Sequence, residues 1–424
     1  MRILCASNLH LGRRIPGILD HLNLDPARIS TSAVWDQLVD IAVTKNVDAV
    51  LLGGNVIDRE NRQFEPLGPL ERGVTTLERH GIPVIAVAGN HDFDTLGPVA
   101  RDIGEDAFDI LAADSWDRLA IQDVGSIVGR SAGNASGTGD LLAGLPGDAA
   151  DVLLVHGSLT DGHAPATTFQ PVPTSSIETF PFPLWILGHQ REPDLMVVGE
   201  TVVIEPGAIC PLDPTETGPH GIWIVDTEDA ANGTLLAISP VQFEDVEIDV
   251  TGVDTLEAIE NTVVAALNET LARVAGEDIQ GQLLCVLCAV HLSGTTDYQQ
   301  ELPALMRDLA RTLDIQQQGV VAAITSVVID TRPDIDLSSL LGRPDPVGEI
   351  ARLLMTLESE QDEHPVAHDA LIQRTLTRLQ AVHRARVFAT VANDPEPDIG
   401  IARSHLRRES WNVLDALIRQ RGVE

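Results

Sequence analysis

The stretch Ile85-Ala-Val-Ala-Gly-Asn-His-Asp92 decides the fold. The apolar run from Val84 to Ala88 reads as a buried strand, and Gly89 ends it. Asn90, His91 and Asp92 are then delivered at the strand's carboxyl end, the edge where open α/β sheets bind their ligands. An amide oxygen, an imidazole and a carboxylate together suit a borderline cation. Taken alone, Gly89–Asp92 is also compatible with an Asn-type turn carrying an incidental histidine, so the neighbouring strand ends have to decide.

Upstream, Arg2–Ser7 reads as a first strand that delivers Asn8 and His10. A helix capped by Thr31 or Ser32 follows, with Val34, Leu38 and Ile41 on one face. The strand Asp48–Leu52 ends in Gly53-Gly54-Asn55 with Asp58 close behind, and a helix over Leu67–Arg79 stops at Gly81. Strand, helix, strand, helix, strand is the order of a parallel α/β core with right-handed crossovers. Residues 93–150 read as short strands and a loop. Beyond them Asp151–Val155 presents His156, and Leu184–Leu187 presents Gly188-His189-Gln190-Arg191. Two strands of antiparallel appearance, Leu195–Val198 and Thr201–Glu205, lead to Pro206-Gly207-Ala208, and Gly221–Asp226 and Thr234–Ser239 then close a second sheet. Residues 1–243 are thus expected to form an α/β sandwich of two mixed sheets between helices.

A small α/β domain is expected over 244–335. Its first helix carries Leu256, Ile259, Val263, Leu267, Leu271 and Val274 at helical spacing, followed by a strand through Cys285, a helix at Leu302–Leu313 and a strand at Val320–Asp330. Cys285 and Cys288 have redox or zinc spacing but no second pair, and they read as core residues of that strand. Residues 336–424 read as helical: one helix from Asp345, another over Ala367–Val391, a break at Asn393–Pro397 and a short helix ending near Ile418.

The 424 residues carry a net charge of −35, with Lys45 the sole lysine. Acid spread over a surface adapted to salt or to high GC content is one reading. A protein that meets nucleic acid only at a local patch is another, because affinity for DNA rests on neutralising phosphates. No apolar run reaches the roughly 18 residues of a membrane span, and Met1 leads straight into a strand. A cytoplasmic protein without membrane contact is expected.

Five strand ends now carry convergent polar groups: Asn8-Leu9-His10, Gly54-Asn55-Val56-Ile57-Asp58, Gly89-Asn90-His91-Asp92, His156-Gly157 and Gly188-His189-Gln190-Arg191. In order and spacing they resemble the calcineurin-like metallophosphoesterases, and most closely the DNA-repair nuclease subunits of the SbcD type. That family's blocks run Asp-x-His, Gly-Asp-x-x-Asp, Gly-Asn-His-Asp, a histidine after a strand, and Gly-His-x-His. The resemblance covers about 240 residues by motif; the later domains resemble, less specifically, a capping module and a helical segment that docks on an SMC-type ATPase.

The resemblance implies two manganese-type ions held by Asn8, His10, Asn55, Asn90, His156 and His189, with His91 and Asp92 as the catalytic pair. It also implies DNA as substrate, an SMC/SbcC-type ATPase as partner and a homodimer. Three positions depart from the pattern: Asn8 and Asn55 stand where the family has aspartates, and Arg191 where it has a histidine. A guanidinium has no acceptor and cannot ligate, and two dications side by side rely on carboxylates to screen their repulsion. One manganese is therefore the expected maximum, and Arg191 either holds a phosphate directly or points to solvent or pairs with Glu192 or Asp58. The expected function is an SbcD-like subunit with a decayed two-metal site, binding DNA ends or acting as a scaffold. The alternative is an active manganese-dependent nuclease using substituted ligands. Ile350, Leu353, Leu354 and Leu357 form an apolar stripe that either docks the ATPase or packs on the chain's own core.

Overall fold

Short apolar strands separated by amphipathic helices bury both strand faces only when sheets stack and helices cover their outer sides. The structure, a computed structural model, describes residues 1–18, 22, 24–58, 66–104, 107–122, 124–134, 140–147, 150–160, 168–180, 182–358, 366–384 and 396–421. In chain order the elements are β1 (Arg2–Ala6), α1 (Thr31–Lys45), β2 (Ala49–Leu52), α2 (Leu67–Arg79), β3 (Val84–Ala86), α3 (Leu96–Ile103), β4 (Phe108–Ile110), β5 (Asp117–Ile121) and β6 (Gly125–Arg130). Then come β7 (Val152–Val155), β8 (Ser158–Thr160), β9 (Pro171–Pro173), α4 (Thr174–Thr179), β10 (Leu184–Leu187), β11 (Asp194–Val198), β12 (Thr201–Glu205), β13 (Gly221–Asp226) and β14 (Thr234–Ala237).

These strands make two six-stranded sheets, ordered β14-β13-β1-β2-β3-β4 and β11-β12-β10-β7-β6-β5. Both are mixed, as expected, but β13 and β14 pair onto β1 in the first sheet and do not close the second. Strands β1 to β4 run parallel with β13 antiparallel at their side, while β6, β7, β10 and β12 run parallel between antiparallel edge strands. Period-two geometry explains the unbroken apolar runs. Ile3, Cys5, Ala49, Leu51 and Ile85 pack with Ile127, Val152, Leu154, Ile186 and Ile204 of the other sheet. Their neighbours Leu4, Ala6, Val50, Leu52 and Val84 pack with Val34, Trp35, Leu38, Leu70 and Val74 of α1 and α2.

Local details differ from the sequence expectation. Ser30 caps α1, its Oγ accepting from the N–H of Ala33, whereas the buried Thr31 turns its hydroxyl toward the carbonyls of His10 and Arg13. The run Val84–Ala88 is strand only to Ala86, although Val87 still donates to the carbonyl of Leu52.

By packing, the chain divides into two compact units. The first comprises Met1–Asp245, Leu267–Ala289 and Leu313–Thr325, and the second Val246–Ala266, Val290–Thr312 and Ser326–Glu424. The remaining elements are β15 (Val241–Asp249), α5 (Leu256–Glu277), β16 (Cys285–Thr295), α6 (Leu302–Thr312), β17 (Ile315–Gln317), β18 (Val320–Arg332), α7 (Leu337–Leu340), α8 (Pro346–Glu358), α9 (Val366–His383) and α10 (Ile399–Arg421). Cys285 and Cys288 are buried free thiols in β16, and burial pushes both up to about 12.

In the second unit Leu353, Leu357, Ile372 and Ala402 form one small core, and Leu337, Val347, Ala351, Leu354, Trp411 and Leu414 another, with Ile350 packed against the latter. The stripe of Ile350, Leu353, Leu354 and Leu357 is thus covered by the chain's own helices and is no open docking face. The last helix is 23 residues long rather than short. Residues 385–395, which include the end of the expected Ala367–Val391 helix and most of the Asn393–Pro397 break, lie outside the described residues. Among the described residues no helix is long and apolar enough to cross a membrane.

One contact fixes how the two sheets meet. Gly53 follows β2 and Gly188 follows β10, and a Cβ built on Gly188 would lie 1.7 Å from the carbonyl oxygen of Gly53. Only backbone fits between these strand ends. Gly188→Ala is therefore expected to destabilise the first unit by about 3 kcal/mol through overpacking, whereas Gly147→Ala, which meets nothing within 4 Å, should stay within about 0.5 kcal/mol of wild type. Denaturant unfolding of the two variants checks this.

Candidate metal centre

Parallel register places the carboxyl ends of β1, β2 and β3 along one edge of the first sheet, and those of β7 and β10 along one edge of the second. The loops leaving β1 and β2 are zipped together: Asn8 N–H donates to Gly54 O, His10 N–H to Asn55 O and Leu11 N–H to Val56 O, at 2.9–3.0 Å. Asn8, His10 and Asn55 all hold left-handed backbone, with φ of 48°, 42° and 54°. Three non-glycine residues in that region at one site are the kind of strain that surrounding structure has to hold in place. Gly54, at φ 98°, leaves the room that His156 needs, since a Cβ there would sit 2.5 Å from Nδ1.

A chain of amides runs through the centre. Asn8 Nδ2 donates to the carbonyls of Gly188 (3.0 Å) and Gln190 (2.8 Å), which leaves Oδ1 to accept from Asn55 Nδ2 at 2.9 Å. Asn55 Nδ2 also reaches Asn90 Oδ1 at 3.1 Å, while Asn55 Oδ1 accepts from the N–H of His91 at 3.0 Å. Backbone groups pin both ends: carbonyls can only accept and an N–H can only donate. The orientation of Asn8 and Asn55, and with it that of Asn90, follows.

The histidines are oriented by the same logic. His156 Nδ1 lies 2.7 Å from Gly53 O and must donate to it, so Nε2 carries the lone pair. That lone pair faces Asn90 Oδ1 at 3.1 Å and His189 Nδ1 at 3.3 Å. Phe169 stacks on His189 at 4.9 Å between ring centroids. Burial and the neighbouring His189 bring His156 down to about 3, and burial with the charge of Arg191 brings His189 down to about 4. Both rings are neutral at pH 7, the state in which imidazole ligates.

On the other side, the buried His10 places Nδ1 3.0 Å from Asp58 Oδ2, with Arg13 Nη1 3.6 Å from the same oxygen. His91 meets His10 edge-on at 4.9 Å. Asp92, expected as a catalytic residue, is instead fully buried beneath the loops, where it accepts from the N–H groups of Gly89 (2.7 Å), Val56 (2.6 Å) and Ile57 (3.3 Å). Burial nevertheless pushes it up to about 6. It braces the Asn55 and Asn90 loops. Arg191, expected to hold a phosphate, pairs with Glu216 at 2.6 Å, and Glu216 also accepts from the N–H of Leu212. Glu216, Phe169 and Arg13 belong to no motif, and strand-end patterning does not reveal them.

The donor set decides which ions the residues fit. The first family position, built from Asn8, His10, Asn55 and Arg191, does not fit a cation: Asn8 and Asn55 turn N–H groups inward, and Arg191 offers no lone pair. Asn90, His156 and His189 do converge lone pairs, so a neutral three-ligand site fits one ion there. Two dications about 4 Å apart would repel by roughly 16 kcal/mol at an effective dielectric of 20, and no carboxylate bridges these positions among the described residues. One ion bound there would supply Lewis-acid polarisation of a phosphoryl oxygen, with His91 placed as a hydrogen-bond donor to it.

Asn8→Asp isolates the amide's contribution. The carboxylate would face the carbonyls of Gly188 and Gln190 with no proton to give, a buried uncompensated charge that costs about 3 kcal/mol. Thermal melts in EDTA should show that loss, and millimolar manganese should recover part of it in the variant but not in wild type.

Comparison with known proteins agrees with this geometry. Residues 1–204 match the family of calcineurin-like phosphoesterases. The DNA double-strand break repair protein Mre11 of Sulfolobus acidocaldarius is 32% identical over 92 residues, 22% of each chain. Mre11 of Sulfurisphaera tokodaii is 32% identical over 91 residues, again 22% of each. The uncharacterized metallophosphoesterase YhaO of Bacillus subtilis is 27% identical over 270 residues, 60% of this chain and 64% of that protein. The chain thus spans under two thirds of the length of these relatives. Residues 1–204, with their paired sheets and strand-end polar groups, are thus similar to the calcineurin-like phosphoesterases.

Proposed function

We propose that this protein is an SbcD-like, Mre11-related subunit whose two-metal centre has decayed, and that it binds DNA ends or acts as a scaffold beside an SMC-type ATPase. The observation that carries this reading is the amide chain Asn8–Asn55–Asn90, which sets hydrogen bonds where bridging cations would need carboxylates. The two Mre11 relatives are named for DNA double-strand break repair, which supplies the substrate class. Residues 244–335 would serve as the capping module and 336–424 as the ATPase-facing segment. Since α8 buries its apolar stripe within the chain, docking would use the outer faces of these helices. A homodimer is part of the same proposal.

The charge balance favours the scaffold role over tight binding of DNA ends. Arg191 and Arg13 each have a carboxylate partner, so among the described residues these two cations leave little excess positive charge to hold a polyanion in a protein of net charge −35. A second reading, a manganese-dependent nuclease working with one ion, rests on the convergence of Asn90, His156 and His189.

Metal content and manganese-dependent cleavage of linear duplex DNA separate the two, measured beside the triple variant Asn8→Asp, Asn55→Asp, Arg191→His. The expected result is an inert wild-type protein holding at most one ion, and a triple variant that binds two ions and cuts. Cleavage by wild type that His91→Ala abolishes would overturn the proposal in favour of the one-ion nuclease.

A further inference from the structure

We infer that the second unit carries an oxyanion site of its own, in which Arg332, Arg407 and Arg408 bind a phosphate group, either as the free ion or on a phosphate monoester. The inference stands apart from the proposed function, because every residue of the site lies in the second unit and none belongs to the metal centre. A cavity of 270 Å³ lies between the end of β18, the end of α8 and the middle of α10. The three arginines line it together with Ser293, Trp411 and the carboxylates of Asp330 and Glu358.

Charge sets this cavity apart. Over the whole chain 63 acidic residues face 28 lysines and arginines, whereas here three arginines face two carboxylates. A surface shaped by composition alone would carry the opposite balance. The groups converge for a geometric reason as well. Asp330 and Arg332 stand two apart on β18 and project from its exposed face. Arg407 and Trp411 stand four apart on α10, one above the other on one side of the helix.

The carboxylates hold the arginines without using them up. Arg332 Nη1 donates to Glu358 Oε1 at 3.1 Å, and Trp411 Nε1 donates to the same oxygen at 3.2 Å. Arg407 Nη2 reaches Asp330 Oδ2 only at 3.5 Å. Arg408 Nε lies 3.7 Å from Glu409 Oε1, and its Nη2 is 3.4 Å from His405 Nδ1. A guanidinium has five N–H donors in a planar fork, so each arginine keeps donors for a ligand. Ser293 Oγ, whose contact with Ile248 O is 3.5 Å long, adds a hydroxyl.

The ligand class follows from what the walls refuse. Trp411 is 4% exposed and has the Arg332 guanidinium 5.8 Å from its ring centroid, so it offers no face for a base to stack on. The cavity is also smaller than the roughly 300–1,000 Å³ of sites for drug-sized ligands. Several guanidinium forks suit an anion with oxygens in several directions better than a single planar carboxylate. A phosphate monoester, with a charge of about −1.5 to −2 at pH 7, meets both conditions.

Isothermal titration of the full chain with inorganic phosphate at constant ionic strength tests this. Wild type should show one saturable site. The double variant Arg407→Gln, Arg408→Gln should weaken it by at least ~10-fold, the scale of losing one charge-assisted hydrogen bond, while Arg191→Gln should leave it unchanged. Asp330→Asn releases Arg407 and should tighten phosphate binding, whereas an ion pair serving stability alone would lower the melting temperature and move no affinity. Thermal melts show whether the double variant folds, and the single variant Arg408→Gln tests the site if it does not. Glycerol 3-phosphate as a second titrant names the source: tighter binding than inorganic phosphate supports an esterified ligand, and weaker binding supports the free ion. Absence of a saturable site for either titrant, or a site lost in Arg191→Gln and kept in the double variant, would overturn the inference.

Discussion

Two strand ends from different sheets must touch with nothing but backbone between them, and the remainder of the centre follows from that constraint. Gly53 and Gly188 meet at a distance no Cβ tolerates. The same Gly53 carbonyl accepts from His156, and the Gly188 carbonyl accepts from Asn8. One backbone contact therefore orients an imidazole on one side and an amide on the other. Because each bond joins a fixed backbone group to a side chain, the polarity of the network is set before any ligand arrives. Preorganisation of this kind is what lets a site act without reorganising.

What the network lacks is charge. A pair of dications needs anions between them, and the centre offers amides that satisfy one another. An amide links two neighbours by donating to one and accepting from the other, whereas an ionised carboxylate only accepts and links groups that are cations or donors. Asn8 and Asn55 therefore do more than weaken the metal position. They link to each other and to Asn90 by hydrogen bonds where carboxylates could only accept. The carboxylate of Asp58 lies 3.0 Å from His10 Nδ1.

Much of this was legible in the sequence, and the reasons are specific. Apolar runs such as Asp48–Leu52 and Leu184–Leu187 are buried on both faces, so strand identity survives without any knowledge of partners. Polar residues placed directly after such runs have few places to go, which is why Asn8, Asn55, Asn90, His156 and His189 could be grouped and are found together. The misplaced residues share a cause as well. Asp92 looks catalytic by position, but a carboxylate within reach of three loop N–H groups is drawn under the loop instead. Arg191 meets Glu216, 25 residues away in a segment with no pattern to mark it. The last helix runs over Ile399–Arg421, longer than the short helix its sequence suggested.

The left-handed backbone at Asn8 and Asn55 has an evolutionary consequence. Asparagine and aspartate are the two side chains besides glycine that tolerate this conformation with least penalty, and they have nearly the same shape. An exchange between them leaves φ and loop register as they were, so its cost is confined to the charge it buries and does not extend to the scaffold's shape. Gain and loss of a metal centre on this fold can then proceed one residue at a time, with no refolding between steps. Similarity of shape alone cannot report which state a given member is in.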